Sequence, residues 1–322
     1  MHALLLAAAL LLPAAQEAPK PAEPPKPAPA AAPAPAPNPA DTPAAGDKAA
    51  ADKAAPGALP PVEPPPALTP AKASELDRAI KQLRADKVEY RKNMEKQVIA
   101  FGRGAIPALA VAATTTHAGQ MESIANCLIA LADLRDRDFV VECVGSKLPT
   151  LRRFAARKAA DYDLPEVLDA LAPLLKDSDA IARNEAALSL VTCGREQGLD
   201  VLVLIFAEQR ERVLKALPGV AGKGDHEPVA NRLKLDPERE KLEPQVTAKE
   251  RVAAVQLLHA MGDRDAQRLL VGALDDKHNL VQREAINALR DLLEQKPPLD
   301  GTSIFQQINE VKRLKELWSS GK

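Results

Sequence analysis

Gly219 to Asp225, GVAGKGD, is the nearest approach in this chain to a phosphate-binding loop. Such a loop needs a run of backbone amides closed by Gly-Lys-Ser/Thr, and here Gly224 stands where the hydroxyl belongs, so the segment reads as an ordinary loop. The next pair, His226-Glu227, has the start of a zinc-protease helix, but Ala230 occupies the position of the second histidine. His117, His226, His259 and His278 lie in separate segments, and each reads as a polar surface or helix-end residue. Cys127, Cys143 and Cys193 are too few and too far apart for a zinc cluster. In an oxidising compartment Cys127 and Cys143, from successive helices, could bridge; as buried thiols all three would act as small hydrophobes. No glycine-flanked serine marks a nucleophile elbow. Acidic pairs such as Asp275-Asp276 fall at turns, where helix capping accounts for them. The expectation is no catalytic residue, no cofactor and no metal.

The residues that do recur are arginines in a helical setting. Arg183, in KDSDAIARNEAALSLVTCG, is followed by Ala186, Ala187, Leu188 and Leu190 and, eleven positions on, by Gly194. Arg251 repeats this with Ala254, Leu257, Leu258 and Gly262, and Arg91 has Gly102 at the same interval. Weaker copies start at Glu122, Arg153, Arg212 and Arg283, so the spacing is 29 to 32 residues except for 39 between Arg212 and Arg251. A unit this short, without strand-like alternation and with a second amphipathic stripe before each marker, is a helical hairpin. First helices are expected near Ser74 to Val88, Ala105 to Thr115, Phe139 to Leu148, Pro165 to Lys176, Leu199 to Glu208, Pro228 to Leu235 and Ala266 to Leu274. Small residues let second helices approach closely, leucines fill the seam, and glycine past the end supplies a left-handed cap. Asp179 and Asn279 are placed to cap two second helices. Pro218 and Gly219 interrupt the helix after Arg212, and an insertion of about eight residues lies within Leu235 to Glu250, as a binding loop or as an idle extension.

KDSDAIARNEAALSLVTCG and DDKHNLVQREAINALRDL resemble the HEAT-like repeats of phycobilin-lyase type. The resemblance implies an all-α, right-handed α-solenoid, a HEAT/armadillo-like superhelix, here of about seven helix pairs plus a C-terminal capping helix. It also implies second helices lining a concave face, and usually a protein-binding scaffold. On that face the candidate protein-binding residues are Arg152, Arg153, Arg157, Arg183, Asn184, Arg210, Arg212, Arg251 and Arg283. They could meet an acidic partner surface, or each could pair with a turn carboxylate of the next unit, such as Asp177 or Asp276. If they are solvent-exposed, reversing their charge should leave folding intact, whereas Ala156 should sit at a helix contact.

Composition narrows the function classes. Eight aromatic residues in 322 are few for a base-stacking platform or an aromatic-lined ligand pocket. The chain has 43 basic and 44 acidic residues; five and six of them precede Ala73, which leaves the array at 38 of each and argues against nucleic acid. Residues 1–15, MHALLLAAALLLPAA, read as a signal peptide whose apolar run is too short for a stable membrane span unless it is retained as an anchor. Residues 16–72 read as a disordered Pro/Ala-rich spacer: 37 of the 56 residues from Glu17 to Lys72 are Ala or Pro, and only three are large and apolar. The repeat array covers 73–296. In the capping segment 297–322, Ile304, Phe305, Ile308, Val311, Leu314 and Trp318 are expected to cover the last apolar face. The reading is a monomeric, non-enzymatic interaction scaffold with a protein partner, exported to the periplasm, the cell envelope or the medium. An enzyme of lyase type built on such repeats, and an envelope-anchored structural spacer, are the alternatives.

Overall fold

A computed structural model of the chain describes residues 59–234, 236–299 and 303–321. The signal segment and the spacer as far as residue 58 lie outside the described residues. Sixteen α-helices and no strand occur among the described residues. They run as pairs: α1 Pro70–Gln82 with α2 Val88–Ile99, α3 Ile106–Ala112 with α4 Ala118–Leu131, α5 Arg137–Val144 with α6 Pro149–Tyr162, α7 Pro165–Ala170 with α8 Ala180–Thr192, and α9 Leu199–Ile205 with α10 Arg210–Ala216. Next, α11 Glu227–Leu233 reaches α13 Pro244–Met261 through the short α12 Pro237–Leu242. The last pair is α14 Arg264–Ala273 with α15 Asn279–Glu294, and α16 Ile304–Ser319 ends the stack. Seven helix pairs stacked as a solenoid, closed by one further helix, is the expected all-α architecture.

Second helices pack on one another along the row α2, α4, α6, α8, α10, and again as α13 on α15. The tightest crossing is α6 on α8. Ala155, Ala156 and Ala159 are fully buried there, as are Ala182, Ala186 and Ala187, and Ser189 donates to the Ala156 carbonyl at 2.6 Å. Only small side chains permit that approach. Two apolar clusters meet in α8, which sends Ala186 and Leu190 into the first and Ala187, Leu188 and Val191 into the second. After α10 the row breaks, and α13 rests on α9 instead. At this break Gly219 crosses the end of α8, where a Cβ would collide with the Val191 and Thr192 carbonyls.

The helix ends follow the sequence. Gly262 (φ 66°) and Gly194 (φ 83°) take the left-handed conformation after α13 and α8. Asp179 caps α8 by accepting from the Ala182 amide at 2.9 Å. At α15 the cap residue is His278 rather than Asn279, and Asp276 accepts from its amide at 2.7 Å.

Two expectations on packing need correction. The spacer was expected to extend to Lys72, but Leu59 to Leu68 lies against the first repeats and α1 already begins at Pro70. Arg137 donates to the Pro60 carbonyl (2.7 Å), Arg103 to the Glu63 carbonyl (2.8 Å), and Leu68 sits over Gly104, where a side chain would displace it. Arginine donors thus satisfy carbonyls of a segment too apolar-poor to dock by burial. At the other end, α16 covers the stack through Leu314 and Gln307, with Val311 half-buried, while Ile304, Phe305 and Ile308 are exposed. Phe305 and Leu314 are nine residues apart, about two and a half turns, so one helix cannot bury both against one surface.

Ala156→Leu should cost about 1 to 3 kcal/mol through overpacking of the α6–α8 crossing. A urea melt midpoint equal to that of the parent protein would contradict the crossing described.

Candidate protein-binding surface

The second helices turn one row of polar residues outward, and most of the expected arginines stand on it. Few of them are free. Arg152 forms a two-pronged pair with Asp177 (2.5 and 2.9 Å) and donates to the Ser146 carbonyl. Arg153 does the same with Asp179 (2.8 and 2.6 Å). Each joins α6 to the turn before α8 with most of its side chain buried, so the solvent exposure on which harmless charge reversal depends is not met at these two arginines. Planar guanidinium matches carboxylate geometry, and that makes these bonds strong as well as directional. They hold the Asp177 and Asp179 carboxyls below the usual carboxylate range, Arg152 and Arg153 respectively being the main causes.

Arg251 is the clearest correction. It is 2% exposed, between Asp276 (2.8 Å) and Glu240 (2.9 Å), and cannot touch a partner. The pairs Arg152–Asp177 and Arg251–Asp276 both span 25 residues, and both aspartates also accept from the amide of the next helix cap. The structural counterpart of Arg251 is therefore Arg152, not Arg153; the alanine pattern alone misplaced the register by one. The insertion also gains a role. Its helix α12 carries Glu240 to Arg251 and Arg239 to Glu250 (2.6 and 2.7 Å), so it completes an ionic network that is buried at Arg251 and partly exposed on α12. Hydrogen bonds from Arg251 and Thr247 pull the Glu240 carboxyl down to about 2.

The others divide. Arg183 donates to the Asp177 carbonyl at 2.6 Å, and Asn184 keeps a buried Oδ1 with no hydrogen-bond partner among the described residues. Arg210 lies over the Phe206 ring, 5.3 Å from its centre. Arg283 is exposed. Arg157 and Arg212 converge on one carboxylate, Glu185, from opposite sides: Arg157 at 3.1 Å, Arg212 at 3.0 and 2.6 Å. Burial alone would raise the Glu185 carboxyl, but the Arg212 and Arg157 guanidiniums hold it below the usual range. Arg157 also reaches Asn126 on α4 (3.0 Å), so this chain of contacts crosses four second helices.

His226 stands at a helix end, as the N-cap of α11, but it is fully buried rather than at the surface. Its Nδ1 lies 2.7 Å from Glu196 and its Nε2 2.8 Å from Asp263, which ties the turns before α9, α11 and α14 together. Its backbone is left-handed (φ 55°), a conformation that a non-glycine residue keeps only with compensation from its surroundings. The GVAGKGD loop beside it is indeed a loop, with the Gly222 amide donating to Asp263. All three cysteines are free thiols, and burial pushes Cys127 and Cys143 up to about 12.

The stacked helix pairs match a known pattern. Residues 138–217 match the family model of HEAT repeats. Those residues are HEAT repeats. Among solved structures, human deoxyhypusine hydroxylase in complex with glycerol is similar at 17% identity, over 78% of this chain and 98% of that one, with a TM-score of 0.31. Two engineered proteins are similar at 17% and 20% identity. The first covers 76% of this chain and 72% of its own (TM-score 0.32), the second 77% and 97% (0.22). No curated protein matches the chain. The HEAT assignment stands on the matched repeats and the helix-pair stack.

Arg251→Ala should cost about 3 kcal/mol or more, since it strands buried carboxylate charge, whereas Arg283→Ala should stay within about 0.5 kcal/mol. Equal urea midpoints for the two variants would contradict the burial of Arg251. Acid should also act through the ion pairs. Arg135 holds the Asp133 carboxyl, and Arg313 the Glu294 carboxyl, down to about 2. Each binds fewer protons folded than unfolded near pH 3 to 4, so the stabilisation is complete above the ordinary carboxylate range and is lost as pH falls towards 2. Urea midpoints should drop across that window, and a flat profile would contradict the pairing.

Proposed function

We propose that the HEAT array is a non-enzymatic scaffold that binds a protein through the outward face of its second helices, and that the chain is exported with the Pro/Ala-rich segment as its spacer. The observation that carries the binding part is the asymmetry of the ladder. One side of each second helix is committed to apolar packing, while the outer side keeps partly exposed cations: Arg157 at 35% and Arg212 at 49%, both also paired with Glu185, and the exposed Arg283. In a solenoid the outer side of such a row is the surface with most freedom to specialise. Export is supported by the MHALLLAAALLLPAA opening and by a spacer composition that offers little to bury.

Cross-linking of the full chain in its native envelope fraction, followed by mass spectrometry, should place partner cross-links on or beside α6, α8, α10, α13 and α15. Cross-links confined to the first helices would overturn the choice of face. The amino-terminal residue of the mature protein checks export separately: cleavage near Ala15 is the expected result, and an intact Met1 in a cytoplasmic fraction would overturn it.

A further inference from the structure

A groove of about 420 Å³ runs between α6, α8 and α10. Its apolar lining is Ala160, Leu188 and Ala216, and its charged lining is Arg157, Arg212, Lys215, Asp161 and Glu185. The carboxylates are engaged. Asp161 accepts from Lys158 at 2.9 Å, and Glu185 accepts three hydrogen bonds from the two arginines. The cations retain capacity. Arg157 has a buried Nε with no hydrogen-bond partner, Arg212 is half-exposed, and Lys215 is exposed with neither hydrogen bond nor ion pair among the described residues. Three cations thus face one fully satisfied carboxylate and one already neutralised, beside an apolar floor.

We propose that this groove holds an acidic side chain of a protein partner's peptide segment, with the carboxylate between Arg212 and Lys215 and a neighbouring aliphatic residue on Leu188. The inference rests on the second-helix ladder being the binding face and adds what that face recognises. The fixed side of the site is pre-organised, because Glu185 holds both guanidinium planes before any ligand arrives, so fewer rotamers are lost on binding. The apolar floor selects against a bare anion. Guanidinium geometry selects for a planar carboxylate.

The test uses the full chain and a fluorescein-labelled peptide of alternating leucine and glutamate, followed by fluorescence anisotropy. The peptide should bind about tenfold more tightly than its glutamine counterpart, with an affinity that falls as salt rises. Lys215→Gln and Arg212→Gln should each weaken it about fivefold, a typical effect of one partly exposed charge contact. Lys277→Gln, at an exposed lysine in the turn before α15, should leave it unchanged. If Arg212→Gln lowers stability, Lys215→Gln decides, since Lys215 holds no other part of the protein. Equal affinity for the two peptides, or no response to Lys215→Gln, overturns the groove. A single-stranded oligonucleotide that binds as tightly as the glutamate peptide overturns the protein partner. Native cross-links that stay on the ladder while the peptide assay fails would sink this groove alone and spare the face.

Discussion

No helix pair in this chain can bury its own apolar stripe, and the structure depends on each pair lending a surface to the next. The α6–α8 crossing shows the constraint at its tightest. Alanines on both helices bring the backbones close enough for a serine hydroxyl on one to reach a carbonyl of the other, and α8 then supplies side chains to two apolar clusters at once. A helix buried on both flanks has little surface left to choose with. Its one carboxylate, Glu185, is drawn into holding the arginines of its neighbours.

Ion pairing follows from the same geometry. Where second helices are packed this closely, an arginine on one turn stands opposite the acidic turn of the next unit, and the pair is partly removed from water. Such pairs contribute less to net stability than their number suggests, because desolvation offsets much of the attraction. They do contribute register. Arg152 and Arg251 each select a single aspartate 25 residues ahead, which a purely apolar seam of alanine and leucine could not specify.

Much of this was legible beforehand. The hairpin period, the positions of the first helices after α1, the left-handed glycines after α8 and α13 and the Asp179 cap all follow from local chemistry: small residues at fixed spacing and side chains that hydrogen-bond within their own turn; α1 itself runs Pro70–Gln82 rather than Ser74 to Val88. What was not legible depends on partners distant in the chain. Arg251 and Arg283 look alike as sequence, yet one is sealed by an aspartate and a glutamate and the other is open. His226 gave no sign of the two carboxylates around it. The apolar residues of α16 do not seat as one stripe, because Phe305 lies half a turn out of phase with Leu314 and only one of them can meet a flat surface.

The Pro-rich segment in front of α1 has a mechanical meaning. Leu59 to Leu68 runs across two successive inter-helix turns and is held by hydrogen bonds from Arg137 and Arg103 before the first helix begins. Tension arriving from the amino-terminal side therefore meets these bonds first and loads them in shear along the edge of the stack. The first turn of α1, which would otherwise peel open from its end, is sheltered behind them.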